Sequence, residues 1–237
     1  MAARDEAATI GATLAALARA LPRARIWVAD DGSRDASASI ARAARARVLS
    51  CGRPAGKGAA MTRAAHRALS EVGGSDAGER ALFLLCDADL GGSAGELVRL
   101  LEAVSEGPAD LAVAVFARRQ GGGFGLARRF ARWAIRARCG LTTRAPVSGQ
   151  RALTAAALRR LLPFAPGYGM ELAMTIDAVR AGLVVEEIEL ALEHRATGRS
   201  AAGFAHRGRQ LRDFVRAYLA RAGHEAGLAP RGAAPSE

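Results

Sequence analysis

Lysine is all but absent from this chain of 237 residues: of its 34 basic side chains, Lys57 is the one that is not arginine. An arginine excess in so alanine-rich a sequence reads as a habit of composition, so the formal net charge of +11 does not by itself announce a partner. Aromatics are scarce too, at 5%. No basic stripe is interleaved with rings that could stack on bases, which argues against nucleic acid. Anionic small molecules, or an anionic membrane surface, account for the charge at least as well. Cysteine occurs only at Cys51, Cys86 and Cys139, without a CxxC pair. Neither a disulfide framework nor a zinc site is suggested, and Cys86 reads as a core residue. No apolar run approaches the roughly 20 residues that span a bilayer, and the N-terminus has no leader pattern, so a cytoplasmic protein is expected.

What is present is ample material for a core, with 50% hydrophobic residues. We expect one domain over residues 1–225 and a disordered tail over 226–237. The chain turns on the stretch Ala81-Leu82-Phe83-Leu84-Leu85-Cys86-Asp87-Ala88-Asp89, where an unbroken apolar run stops at two carboxylates. A run without polar alternation is a strand covered on both faces. Asp87 and Asp89, two apart in extended backbone, point the same way past its end. Carboxylates that close raise each other's pKa unless a cation lies between them, and a hard divalent ion such as Mg²⁺ or Mn²⁺ suits them. A plain Asp-rich turn capping the next helix explains the pair as well.

The rest of the chain repeats this rhythm. Leu14, Leu17 and Leu21 form a helical stripe ending at Pro22, and the strand Ile26 to Ala29 again ends in acids, Asp30-Asp31-Gly32-Ser33. A helix over 34–46, a strand over 48–51, and Gly52-Arg53-Pro54-Ala55-Gly56-Lys57-Gly58 opening another helix follow. Beyond the central strand come a helix over 94–105, a strand over 110–117, a glycine turn at 121–123, and a helix over 124–138. On that last helix Leu126, Phe130 and Trp133 share one face, and Arg128, Arg129, Arg132 and Arg136 line another. Such a helix binds phosphates, lies on a membrane surface, or is simply an arginine-rich surface helix. A helix over 154–162, one launched at Met170-Glu171-Leu172, a strand over 183–192 and a last helix to 222 complete the pattern. The βα alternation predicts a doubly wound α/β sheet with ligands beyond the strands' carboxyl ends.

Taken in order, Arg4-Asp5-Glu6, Asp30-Asp31-Gly32-Ser33, Gly56-Lys57-Gly58, Asp87-Ala88-Asp89, Ser148-Gly149-Gln150-Arg151, Gly169-Met170-Glu171-Leu172, and His194 with Thr197-Gly198-Arg199 resemble the family 2 glycosyltransferases over nearly the whole chain. That resemblance implies the GT-A fold of nucleotide-diphospho-sugar transferases, a three-layer α/β/α sandwich with a mostly parallel central sheet. It implies a nucleotide-sugar-binding half over 1–115 and an acceptor half over 116–225. Ala3, Arg4, Asp5, Glu6, Asp31, Arg53, Lys57, Asp87 and Ala88 would then meet a UDP- or GDP-sugar. Asp87, Asp89 and His194 would hold Mg²⁺ or Mn²⁺, although a structural role is the preferred reading of His194. Glu171 takes the place of the catalytic carboxylate, and Ser148, Gly149, Arg151, Arg199 and Arg207 would serve the acceptor or its phosphate. The expected reaction is metal-dependent transfer with inversion, to an acceptor that bears a phosphate, for instance a polyprenyl phosphate, with peripheral contact at the inner face of the membrane. Two features depart from the family pattern. The usual first strand is missing before Ala3, which reads as a start codon placed too late, and Arg144-Ala145-Pro146 offers no acid before the Ser-Gly pair. A nucleotidyltransferase of similar fold and a non-catalytic sugar-nucleotide binder are the competing readings. The acidic Asp5-Glu6, where a nucleotidyltransferase usually carries a basic glycine loop, speaks against the first.

Overall fold

Apolar spacing decides the first element. Ile10, Leu14 and Leu17 fall on one helical face, and α1 (Ile10–Ala20) buries all three against the sheet. The computed structural model describes residues 1–73, 76–117, 125–193 and 201–222, with side chains omitted for 76–77 and 201–207. Ahead of α1 lies β1 (Ala2–Ala3), and after it β2 (Trp27–Asp30), α2 (Ser37–Ala43), β3 (Arg47–Ser50), α3 (Lys57–Val72) and the single turn α4 (Asp76–Glu79). β4 (Leu82–Leu85) leads through a 3₁₀ segment, Gly91–Leu97, into α5 (Val98–Ser105), β5 (Leu111–Phe116) and α6 (Leu126–Cys139). β6 (Arg151–Thr154), α7 (Ala155–Leu161), α8 (Met170–Arg180), β7 (Val185–Leu190) and α9 (Ala201–Leu219) complete the described chain. The glycine turn at 121–123 and the tail at 226–237 lie outside the described residues.

Strands run in the order β1-β2-β3 in one sheet segment and β4-β6-β5-β7 in the other. Two residues join them. Ala2 pairs with Ala29 of β2 and also forms a parallel bridge to Asp87 beyond β4, its N–H donating to the Cys86 carbonyl at 3.0 Å. Every pairing is parallel except those of β6, which runs against both β4 and β5. Sequence reading took 148–153 for the approach to a helix and missed this strand. Its four residues are too few for a periodicity, and Thr154 at its end already caps α7 by accepting from Ala157 N at 3.0 Å. Of the first strand expected to be absent, Ala2 and Ala3 are in place. Beside Met1 a cavity of about 370 Å³ opens between β2 and β4, lined by Leu17, Leu21, Trp27, Met61, Leu82, Leu84 and Leu101 among others.

Helices cover both faces, giving three layers. On one face Ile10, Leu14, Leu17, Leu97 and Leu100 pack on Val28 and Ala112, and on the other Met61, Leu158, Met170 and Met174 pack on Leu85, Val113 and Leu153. Each such side chain, fully buried, contributes about 1.5–3 kcal/mol of transfer free energy. A third cluster, from Ala131, Ile135, Leu172, Ile176 and Phe214, joins α6, α8 and α9.

One contact aligns α3 with the turn before α8. A Cβ on Gly58 would stand 1.8 Å from the Ala165 carbonyl oxygen, so only glycine lets these backbones meet. Gly58→Ala should cost about 1–3 kcal/mol, the usual range for overpacking. Urea denaturation measures it, and an unchanged midpoint would refute the close approach.

Candidate active site

Four chain segments deliver charge to one point. Lys57 begins α3, Asp87 follows β4, Gly149-Gln150 precedes β6, and Glu171 lies in the first turn of α8. The Lys57 ammonium sits 2.6 Å from Asp87 Oδ1 and 2.6 Å from Glu171 Oε1. Gln150 Nε2 donates to the other Asp87 oxygen at 3.1 Å. A lysine at a helix N-terminus opposes the helix dipole, so the two carboxylates, not local preference, hold it there. Gly149 leaves the necessary room, because a Cβ there would lie 2.5 Å from Asp87 Oδ2 and 2.7 Å from Lys57 Nζ.

The electrostatics are mutual. Burial alone would lower the Lys57 pKa, but the charges and hydrogen bonds of Asp87 and Glu171 outweigh it and hold the ammonium well above its ordinary value. Burial likewise pushes the Asp87 carboxyl up. Lys57, its hydrogen bond and that of Gln150 outweigh the burial, so the net shift is downward. Lys57 and Asp87 are therefore both charged at neutral pH.

Neighbouring loops fix these groups. Asp31 Oδ1 accepts from the N–H groups of Ala55 and Gly56 at 2.7 and 3.0 Å, which shapes the turn that aims Lys57, and Arg4 Nη1 approaches its other oxygen at 3.8 Å. Asp5 Oδ1 accepts from Arg34 N at 2.7 Å, and Glu6 N donates to Ser37 Oγ at 2.7 Å, so the loop before α1 is laced to the loop after β2. The fully buried Thr13 donates to the Ala88 carbonyl at 2.9 Å and accepts from Gly91 N at 2.8 Å, pinning the Asp87-Ala88-Asp89 segment to α1.

Above the triad opens a cleft of about 650 Å³. Ala3, Arg4, Asp5, Glu6, Asp31, Lys57, Asp87, Ala88, Asp89 and Glu171, all singled out from sequence, line it. Arg53 does not, being exposed on the loop outside. Ser148 and Arg151 are enclosed behind the cleft instead of facing an acceptor. Arg151 is 0% exposed, its Nε donating to the Ser148 carbonyl at 2.9 Å and its Nη1 to Thr175 Oγ1 at 3.0 Å. Burial pushes its pKa down to about 10 against the opposing charges of Glu171 and Glu187. It braces the base of α8. His194 and Arg199 lie outside the described residues, as does the side chain of Arg207.

Sequence reading missed one wall of the cleft. Tyr168, Arg209, Gln210, Arg212 and Asp213 line it, brought in by α9. α9 comes this close because Gly169 lacks a side chain, where a Cβ would stand 2.9 Å from both the Asp213 carbonyl oxygen and Ala217 Cβ. The basic composition of α9 was visible, but its docking partner was not. Among the described residues no three His, Cys, Asp or Glu side chains are grouped to hold a metal ion by themselves, and no helix is long and apolar enough to cross a membrane.

Comparison with known proteins agrees with this geometry. The family model described as Glycosyl transferase family 2 matches residues 1–160. No curated protein matches the chain. A solved structure of glucosyl-3-phosphoglycerate synthase from Mycobacterium tuberculosis, in complex with Mn²⁺, UDP and glucosyl-3-phosphoglycerate, is similar at a TM-score of 0.73 and 25% identity, covering 95% of this chain and 79% of that one. The same enzyme with Mn²⁺, UDP-glucose and phosphoglyceric acid gives 0.73 and 26%, covering 95% and 79%. With Mn²⁺, UDP-glucose and glycerol 3-phosphate it gives 0.71 and 26%, again covering 95% and 79%.

Removing the central cation should expose the repulsion it suppresses. Lys57→Gln should cost about 2–4 kcal/mol at neutral pH, somewhat below a fully buried pair because Lys57 and Asp87 keep some solvent contact. The lowered Asp87 pKa contributes stability to the wild type above roughly pH 4, which is lost as pH falls through the folded value. In the variant the largest influences opposing burial are gone, leaving the Gln150 hydrogen bond and the N-terminal charge, so that pKa rises and acidification should narrow the deficit. Urea midpoints at neutral and mildly acidic pH check this, and a deficit that ignores pH would refute it.

Proposed function

The chain belongs to glycosyl transferase family 2 and is a glycosyltransferase of GT-A fold, and from that premise we propose that it moves a sugar from a uridine or guanosine diphosphate sugar to a phosphate-bearing acceptor. The observation that carries the reading is the Lys57 ammonium clasped by Asp87 and Glu171 at the floor of the cleft. Three elements have been shaped to bind positive charge where a diphosphate and its counter-ion would lie. The nucleoside end fits the side of Arg4, Asp5, Glu6 and Asp31, and the diphosphate fits the end of β4. The similar Mycobacterium tuberculosis enzyme was solved with UDP-glucose and with phosphoglyceric acid or glycerol 3-phosphate. That supports a uridine donor and a phosphorylated acceptor, for whose phosphate Arg209 and Arg212 on the α9 wall are candidate cations among the described residues.

The donor set fits a hard divalent ion. Such ions are commonly held by one or two carboxylates, with phosphate oxygens and water completing the shell, so no three-residue cage is needed. Asp87 and Asp89 would hold Mg²⁺ or Mn²⁺, which would supply neutralisation of charge on the departing diphosphate. Lys57 then exchanges Asp87 and Glu171 for phosphate oxygens. Glu171, relieved of its ion pair, accepts the proton from the acceptor hydroxyl as the new C1–O bond forms and the C1–O bond to the diphosphate breaks. A single displacement of this kind inverts the anomeric carbon. Where the acceptor nucleophile is itself a phosphate oxygen, as in a polyprenyl phosphate, no base is required.

Thermal shifts with UDP- and GDP-sugars, with and without Mn²⁺, test the donor, since ligand at 100 times its dissociation constant stabilises by about 2.7 kcal/mol. Product formation with phosphoglycerate or glycerol phosphate tests the acceptor, and proton coupling at C1 of the product reads the stereochemistry. Glu171→Gln should lower turnover by about 10² to 10⁴ while donor affinity holds. A modest loss would assign a phosphate-oxygen nucleophile, and joint loss of binding and turnover would make Glu171 structural. Metal-independent binding with no transfer and no slow release of sugar would reduce the protein to a non-catalytic binder.

A further inference from the structure

Among the described residues, five of the six large hydrophobic side chains most exposed to solvent lie on two packed helices, α6 and α9. Leu126 and Trp133 of α6 are 64% and 53% exposed, and Leu219 of α9 is 59% exposed, with Leu211 and Val215 on the same side of α9 at helical spacing. The two rows are joined by rings, Trp133 and Phe130 lying 5.0 and 6.0 Å from Tyr218, centroid to centroid. A core would have hidden them. Around this ridge the exposed charge is basic, from Arg128, Arg129 and Arg136 of α6 and Arg216 of α9, while Arg212 pairs with Asp213 at 3.5 Å on the cleft side. α6 carries no acid, and the one acid among the described side chains of α9, Asp213, turns toward the cleft, accepting from Tyr168 N at 3.2 Å. Arg138 stacks over Tyr218 at 3.9 Å, which holds that ring in place.

We propose that the α6–α9 face docks on an anionic lipid surface, with Leu126, Trp133 and Leu219 in the headgroup–acyl boundary and the flanking arginines on lipid phosphates. Amphipathic surfaces of this composition, with tryptophan at the interface and arginine beside it, bind in the plane of a membrane without crossing it. The charge chooses this occupant over a second copy of the chain. A two-fold contact would set the patch against itself, arginine facing arginine with no acid between. Because α9 also forms the cleft wall through Arg209 and Arg212, docking would bring the cleft mouth beside the bilayer. The inference does not depend on the proposed chemistry, since neither Trp133 nor Leu219 lines the cleft.

Flotation of the full chain with phosphatidylcholine vesicles containing about one third phosphatidylglycerol, compared with pure phosphatidylcholine, tests it. Binding should appear with the anionic vesicles at about 0.01 M salt, where the screening length is about 30 Å, and weaken at 0.15 M, where it is about 8 Å. Arg129→Ser and Arg136→Ser should each reduce the partition about fivefold. Trp133→Ser and Leu219→Ser should each reduce it about tenfold, Leu219→Ser with thermal unfolding unchanged because that side chain is mostly exposed. Absence of flotation, or equal flotation with neutral vesicles, overturns the proposal. So does a sedimenting dimer that Leu126→Ser or Leu219→Ser converts to monomer, which would assign the face to self-association.

Discussion

The architecture depends on one cation held between two carboxylates that come from distant parts of the chain. Lys57, Asp87 and Glu171 are brought together by α3, the end of β4 and α8, and none of them is stable where it stands without the others. Two carboxylates converging on one point repel, and partial burial of the ammonium would lower its pKa were they absent. The surroundings are arranged to permit the contact: Gly149 withholds a side chain, Gln150 satisfies the second Asp87 oxygen, and Asp31 fixes the turn that aims the lysine. A site that binds charged ligands has to carry charge while empty, and here the protein supplies the counter-charge itself.

Much of this was legible in the sequence for a local reason. An apolar run that stops at acids is both a buried strand and its functional end, so Asp31, Asp87 and Asp89 could be placed at strand ends before any coordinates existed. Glu171 could be placed in a helix's first turn because Pro163–Gly169 breaks the chain just ahead of it. Non-local facts were not legible. Arg151 looks like a surface arginine in an arginine-rich chain, and only its enclosure between the Ser148 carbonyl and Thr175 shows it to be a brace. β6 is too short to show a period. The α9 wall, with Arg209 and Arg212, depends on where a late helix docks, which no window of neighbouring residues encodes. Arg199 and the side chain of Arg207, chosen by motif from the same basic stretch, lie outside the described residues.

The sheet is continuous only by a narrow seam. Ala2 and Ala3 carry the hydrogen bonds that link the β2 and β4 segments, and next to them the cavity beside Met1 leaves apolar side chains facing empty space. Groups that line such a space forfeit dispersion contacts, so that part of the sheet packs less tightly than the core clusters. The cleft opens beyond the carboxyl ends of the same strands, where the polar network is dense.

The solitary lysine has a further practical meaning. Amine-selective labels, acyl donors and lysine-directed proteases meet one ε-amino group in the whole polypeptide, and it is the one clasped at the centre of the cleft. Held protonated by its two carboxylates, that nitrogen is shielded from such reagents, so a label on it marks loss of the clasp.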